Sequence, residues 1–206
     1  MMKKYFIVVI ILFQSSVIYS QHFNEDISFG LRYPIPIGDN FLNKAYTNGY
    51  KGLIDFEVGY GIIKMNNASV GFLFNASYLV LSEIDLKLLV LSPKLSFGYT
   101  FCYNKLTISP QLAFGYSNWR FRIPDVIYTD QYGNIIKKGY NQNANGLTYG
   151  CATKLAYNLN SKMSLYAQIA YEYTKIEKPK EETIYLKSDR NLQIIYPGIG
   201  MIWKFN

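Results

Sequence analysis

Residues 106 to 117 alternate between large apolar side chains and small or polar ones without interruption. The stretch LTISPQLAFGYS has its large apolar side chains at even positions, from Leu106 to Tyr116, and Thr, Ser, Gln, Ala and Gly at odd positions. Successive side chains of a strand point to opposite sides of the sheet, so this period of two predicts a strand with two chemically different faces. The alternation alone leaves open whether the apolar face contacts a protein core or lipid.

Residues 1–20 predict a cleaved secretory signal peptide. Two lysines near the start precede an apolar run from Tyr5 to Phe13, and Ile18, Tyr19 and Ser20 form a suitable cleavage site before Gln21. The run is shorter than the roughly 20 residues that a membrane-spanning helix needs. An exported chain without a longer apolar segment either is soluble or crosses an outer membrane as strands.

About eight alternating runs divide the rest of the chain. They are Ile27 to Ile37, Leu53 to Ile62, Ala68 to Val80, Leu88 to Tyr103, Leu106 to Ser117, Leu147 to Asn158, Met163 to Thr174, and Ile194 to Phe205. Most match the roughly 9 to 11 residues with which a tilted strand crosses a bilayer.

The connections between the runs alternate in length. Short turns rich in Asn follow the second, fourth and sixth runs, whereas longer polar loops occupy 38–52, 81–87, 118–146 and 175–193. A hairpin is predicted inside one of these loops, within Val126 to Lys138. Short periplasmic turns opposite long extracellular loops are typical of outer-membrane barrels, and an even number of strands leaves both termini periplasmic.

One face of the runs, the phase that contains Phe29, Phe56 and Leu112, carries no charged residue. The opposite face combines small and polar residues with charged ones, namely Arg32, Asp55, Glu57, Lys94, Lys154, Glu172 and Lys204. A soluble ligand-binding barrel would be apolar inside and polar outside. The pattern instead predicts, for residues 21–206, an all-β, eight-stranded antiparallel up-and-down transmembrane β-barrel with a polar lumen and an apolar lipid-facing exterior.

The charges of the predicted lumen nearly cancel. Eight strands enclose a lumen just wide enough for side chains to fill, and an unpaired charge there would be costly. We therefore predict that these seven residues form a structural polar network of internal ion pairs instead of an ion pathway.

The sequence gives little support to catalysis or nucleic-acid binding. The net charge of +7 is dispersed along the chain, without the dense basic cluster that nucleic-acid binding requires. His22 is the only histidine and lies at the predicted mature N-terminus. Asp55 and Glu57 could form a catalytic carboxylate pair, but partners of Arg32 and of Lys94 or Lys204 are the favoured interpretation. No metal or cofactor motif is present.

Three segments carry a family resemblance: PIPIGDNFLNKAY (Pro34 to Tyr46), GLIDFEVGYG (Gly52 to Gly61) and the closing GIGMIWKFN (Gly198 to Asn206). With them, the chain resembles the small outer-membrane β-barrel proteins common in Bacteroidetes, the porin-like or OmpA-like β-barrel family. The resemblance implies a terminal aromatic strand that the outer-membrane assembly machinery reads during biogenesis, although here Asn206 follows the last aromatic residue, Phe205.

We expect a non-enzymatic outer-membrane protein with a structural or surface-interaction role through its extracellular loops. Candidate contacts with lipopolysaccharide phosphates are Arg120, Arg122, Lys137 and Lys138, unless these are ordinary solvated loop charges. We expect outer-membrane lipid as a partner and no cofactor, and the sequence names no protein partner. The alternatives are a narrow passive pore, a rim-located lipid-modifying enzyme and, less favoured, a secreted soluble ligand-binding barrel.

The assignment of the two faces can be tested by two neighbouring substitutions. Leu112→Arg on the lipid face should lower the free energy of unfolding by roughly 2 to 4 kcal/mol if it lies near the membrane midplane. Gln111→Arg, which points to the lumen, should cause a much smaller loss. A refolding titration in lipid vesicles measures both, and equal losses would contradict the assignment.

Overall fold

The computed structural model describes residues 26–38, 42, 49–65, 67–81, 86–129, 135–177 and 191–205. The predicted signal peptide and His22 lie outside the described residues. Within them the chain forms ten strands: β1 (Asp26–Arg32), β2 (Ile35–Ile37), β3 (Lys51–Met65), β4 (Ala68–Leu81), β5 (Leu86–Tyr99), β6 (Phe101–Tyr103), β7 (Leu106–Thr129), β8 (Ile135–Asn158), β9 (Met163–Ile176) and β10 (Asn191–Lys204). None of these residues belongs to a helix long and apolar enough to cross a membrane.

The strands close into one antiparallel barrel. Pairing runs in the order β1, β3, β4, β5, β7, β8, β9 and β10, and β10 pairs with β1 to complete the circle. Beyond Tyr33 and Pro34, β2 continues β1 against β10, and beyond Thr100, β6 continues β5 against β7. The ten strands therefore form eight barrel strands, which confirms the predicted eight-stranded antiparallel up-and-down β-barrel.

The predicted short turns join neighbouring strands at one end of the barrel. Between β6 and β7, Asn104 has a φ of 51°, a left-handed conformation that Asn tolerates better than most residues. Between β8 and β9, Oδ1 of Asn160 accepts hydrogen bonds from the backbone N–H groups of Lys162 and Met163, each at 2.9 Å. Asn side chains thus stabilise these tight turns locally.

The hairpin of β7 and β8 is longer than the alternation predicts. Each strand has 24 residues, and their pairing continues to the last pair, Thr129 with Ile135. The predicted hairpin within Val126 to Lys138 is confirmed, whereas the prediction of a loop over 118–146 is wrong. After Tyr116 the alternation changes phase: Trp119 and Phe121 are buried, whereas Arg120 and Arg122 are exposed, so the apolar residues no longer continue the outward row.

The barrel wall has the two predicted faces. Leu112, Phe56 and Ile199 in the predicted lipid-facing phase are 64%, 52% and 67% exposed. Along β9, exposed or half-exposed residues alternate with buried ones over the whole strand. The predicted separation of an apolar outward phase from an inward phase is therefore confirmed in this wall.

Two lumen-facing glycines make room for one aromatic ring. A Cβ atom on Gly30 would lie 2.6 Å from the hydroxyl oxygen of Tyr166, and one on Gly200 would lie 2.5 Å from the same atom. Because both approaches are closer than van der Waals contact, the Tyr166 side chain can lie over the neighbouring strands β10 and β1 only where these two paired positions lack side chains.

An apolar core fills the lumen near the long connections. The prediction of a polar lumen did not include this core. The core comprises Leu42, Tyr50, Leu79, Leu81, Leu88, Val90, Trp119, Phe121, Ala144, Ala170, Ile176, Leu192, Ile194 and Tyr196. The signal for it is present in residues 78–81 (YLVL) and 88–91 (LLVL), which are apolar in both phases. Such continuous runs are typical of strands buried on both faces.

The apolar core can be tested with one matched pair of substitutions. Leu88 is fully buried in the core, whereas Leu112 is an exposed residue of the outer wall. We expect Leu88→Ala to lower the free energy of unfolding by about 2 to 5 kcal/mol, because it leaves a cavity, and Leu112→Ala to cost clearly less. A urea titration of the folded barrel in vesicles measures both, and equal effects would mean that the core does not stabilise the barrel.

Candidate functional site

Arg32 is the centre of an ion-pair network in the lumen. Its Nε donates to Oδ1 of Asp55 at 2.5 Å and its Nη1 donates to Oε2 of Glu57 at 2.8 Å, both on β3. Its Nη2 donates to Oε1 of Glu172 on β9 at 3.5 Å. The guanidinium therefore neutralises carboxylates on two strands that do not pair with each other.

Two lysines complete this network. Nζ of Lys94 donates to Oε1 of Glu172, and Nζ of Lys154 lies 2.9 Å from Oε1 of Glu57. The side chains of all six residues are at most 8% exposed. Three cations and three carboxylates thus meet in one buried cluster, which we call the ion-pair network.

The seventh predicted lumen residue does not join the ion-pair network. Nζ of Lys204 donates to Oδ1 of Asn158 at 3.1 Å, and both side chains are half-buried near the short turns. Lys204 belongs to the last residues of β10, so it lies closer to solvent than the other six. Its contact is a hydrogen bond to a neutral amide instead of an ion pair.

Neutral side chains supply further hydrogen bonds to the same carboxylates. The Ser77 hydroxyl donates to Asp55, and Nε2 of Gln168 donates to Oε1 of Glu57 at 3.3 Å. The Tyr196 ring lies 4.3 Å from the Arg32 guanidinium, within the range of a cation–π contact. These contacts replace part of the hydration that the charges lose on burial, as buried ions require.

A row of hydroxyl groups follows the inner wall beside the ion-pair network. Ser92, Ser117, Thr148 and Thr174 lie on four successive barrel strands, and each hydroxyl bonds to the next. All four residues are buried. These hydrogen bonds give each buried hydroxyl a partner between the charged part of the lumen and the apolar core. The row was not predicted from the sequence, because Ser and Thr at such positions carry no distinctive spacing.

Ion pairs occupy both carboxylates that the sequence offered as an acid–base pair. Asp55 and Glu57, the possible acid–base pair, both bond to Arg32, and Glu57 also bonds to Lys154. A polar cavity near the short turns, lined in part by Ser96 and Gln111, has a volume of about 90 Å³. That volume is well below the roughly 300 to 1,000 Å³ of ordinary small-molecule sites.

The predicted loop contacts lie elsewhere than expected. Arg120 and Arg122 are exposed on the outer wall of β7, within a strand and not in a loop. Lys137 and Lys138 belong to β8, where their backbones pair with Ile127 and Val126; their side chains lie outside the described ones. The first two residues share an outer groove of about 500 Å³ with Lys87. The alternation does not predict Lys87 as part of this groove, because it lies in the predicted loop 81–87.

Comparisons with known proteins identify the fold. No protein-family model matches the sequence, and no curated protein matches it significantly. Neisserial surface protein A (NspA) is similar in structure, with a TM-score of 0.55 and 16% identity over 88% of this chain and 97% of that one.

Two further outer-membrane proteins have the same architecture. Ail, the attachment invasion locus protein of Yersinia pestis, gives a TM-score of 0.53 and 16% identity over 89% of this chain and 100% of that one. A major outer membrane protein of Thermus thermophilus gives 0.54 and 11% identity, covering 89% of this chain and 100% of that one. At these identities the likeness shows a shared small β-barrel fold.

The ion-pair network predicts unequal effects of removing interior cations. Arg32→Met should lower the free energy of unfolding by about 3 to 5 kcal/mol, because it leaves the buried Asp55 carboxylate without its cation. Lys204→Met, outside the network, should cost about 1 kcal/mol or less. Adding Asp55→Asn to Arg32→Met should recover part of the loss. Urea titrations of the refolded variants measure these differences, and similar losses for the two single variants would contradict a stabilising network.

Proposed function

We propose that the protein is an integral outer-membrane β-barrel with a closed lumen, and that it has a structural or surface-interaction role instead of an enzymatic or conducting one. The observation that carries this proposal is the outer wall. On β7 the outward residues from Leu106 to Tyr116 are apolar and exposed, and the neighbouring strands continue this surface. A monomer in water rarely exposes so continuous an apolar surface.

The position of exposed charges supports a membrane-spanning wall. Among the described side chains, the exposed charged ones all lie at the two ends of the barrel: Lys51, Lys105, Arg120, Arg122, Lys162, Lys175 and Glu177. Between these ends, the apolar row of β7 runs from Leu106 to Tyr116, which matches the roughly 9 to 11 residues of a tilted membrane-spanning strand. A wall of exposed apolar residues requires an apolar surrounding, and a lipid bilayer provides it.

Aromatic residues border this apolar wall. On the side of the short turns the exposed ones include Tyr99, Tyr103, Tyr157, Trp203 and Phe205. On the opposite side Tyr33 and Tyr116 are exposed, and Tyr78, Tyr171 and Tyr173 are half-exposed. Two such girdles are typical of transmembrane barrels. We place the short turns, and with them the start of β1 and the end of β10, on the periplasmic side, as is typical of transmembrane barrels.

The filled lumen supports a role without conduction. The ion-pair network occupies the middle of the barrel with balanced charge, and the apolar core lies between it and the long connections. An eight-stranded lumen is only wide enough to be filled by side chains. A narrow pore would need these buried contacts to open, so the pore is the weaker alternative.

The proposal of a non-enzymatic surface role rests on two further features. No group of three or more His, Cys, Asp or Glu residues in the described part of the chain could hold a metal ion. The β7–β8 hairpin extends beyond Arg122, the last β7 residue that pairs with β5, and so presents a ribbon above the wall. NspA is named a surface protein and Ail an attachment protein; we extend a surface role to this chain through that ribbon. The signal peptide, the assembly machinery as a partner and the resemblance to Bacteroidetes proteins stay predictions.

Fractionation and electrophoresis test this proposal. We expect the tagged protein in the outer-membrane fraction, and we expect an unheated sample in detergent to migrate differently from a boiled one. The purified protein should give no stable conductance steps in a planar bilayer in which a general porin, the control, does conduct. Recovery from the periplasm without detergent and without a mobility shift would refute a membrane barrel, and regular conductance steps would refute the closed lumen.

A further inference from the structure

A groove on the outer wall brings together three cationic side chains and apolar surface. Lys87, Arg120 and Arg122 line it with Tyr78, Leu89 and Asn143, and its volume is about 500 Å³. We call it the cationic groove. It faces outward, on the same phase as the apolar wall, and is therefore separate from the ion-pair network in the lumen.

The strand register places the cationic groove directly above the apolar wall. Arg120 pairs with Leu89 on one side and with Asn143 on the other, and Arg122 pairs with Lys87 one step farther along. The apolar row on β7 begins at Leu106 and ends at Tyr116. For a strand tilted by about 40°, the Cα atom of Arg120 lies about 10 Å beyond that of Tyr116 along the membrane normal. The headgroup layer is roughly 5 to 7 Å deep on each side of the bilayer, and the long arginine side chain can extend back to it.

Hydrogen bonds orient one of the two arginines. Nε of Arg120 donates to Oδ1 of Asn118 at 2.7 Å, and Nδ2 of Asn118 donates to Oδ1 of Asn145 at 2.6 Å. In the part of the chain that the structure describes, neither Arg120 nor Arg122 forms an ion pair with a carboxylate. The acidic side chain of Glu177, also at this end of the barrel, instead accepts a hydrogen bond from Tyr116 at 3.0 Å.

We propose that the cationic groove binds the phosphate group of a membrane lipid whose acyl chains lie against the apolar wall below. Guanidinium groups match the geometry of phosphate oxygens and bind them through paired hydrogen bonds. Tyr78 and Leu89 supply apolar contact beside the cations, so the groove fits an amphiphile better than a free anion. The inference rests on the proposed function, because only a membrane-embedded wall meets a lipid at this height.

Lipid binding can be measured on the purified, folded protein in a zwitterionic detergent. The probe is bisphosphorylated lipid A, and native mass spectrometry reports the bound fraction at increasing lipid concentration. We expect Arg120→Gln/Arg122→Gln to weaken binding about tenfold or more, since each basic residue near a charged lipid surface contributes measurably. Lys105→Gln/Lys162→Gln removes the same charge at the short turns and should leave the affinity unchanged.

Two competitors separate the possible ligands. Lipid A without phosphates should bind the wild-type protein about as weakly as the arginine variant binds the intact lipid, and millimolar inorganic phosphate should not displace intact lipid A. The proposal is overturned if the arginine variant binds like wild type, if the control variant loses as much, or if the phosphate-free lipid binds equally well. Displacement by inorganic phosphate would make soluble phosphate the ligand. A heat-dependent mobility shift in each variant shows that the barrel is folded, so a negative binding result leaves the proposed membrane location intact.

Discussion

The Arg32 guanidinium is the charge on which the barrel interior depends. It contacts carboxylates of β3, which pairs with its own strand, and of β9, which lies just beyond β10, so its contacts span the place where the first and last strands meet. Backbone hydrogen bonds hold the wall together around its circumference, and this side chain adds a link on the inner face between β3 and β9, the strands on either side of the β1–β10 pair. Such a buried cluster is stable only when each carboxylate has a cation and further hydrogen bonds, and Lys94, Lys154 and Ser77 supply them.

Three environments follow from one closed sheet. The outward phase suits lipid, the middle of the lumen holds paired charges, and the lumen near the long connections is an apolar core like that of a water-soluble domain. With both interior regions filled, the surfaces left for recognition are the outer wall and the ribbon of β7 and β8. This division explains why the cationic groove, although close to Phe121 of the apolar core, faces away from the lumen.

The alternation of side chains predicted the strands and both faces of the wall because burial on one side and exposure on the other impose a period of two. It also selected the six residues of the ion-pair network, since each is a charge on the inward phase. The individual pairs could not be predicted: Lys154 reaches Glu57 across the lumen, and that contact depends on strand stagger. The apolar core was not predicted, because side chains that are apolar in both phases do not alternate. The position of Lys87 was not predicted, because side-chain periodicity does not report where backbone pairing ends.

Closure of β1 against β10 also determines the order in which the barrel can assemble. This pairing joins the two ends of the chain, so forming it costs much loop-closure entropy. It can form only after the last strand has been synthesised. Before β9 is in place, Lys94 has not met Glu172, the carboxylate to which it bonds. A half-built sheet in lipid would therefore carry an unmatched ammonium group, at a cost of several kcal/mol. Insertion and closure are accordingly expected to be a single concerted event, with the nascent strands kept in a hydrated environment until all eight are present.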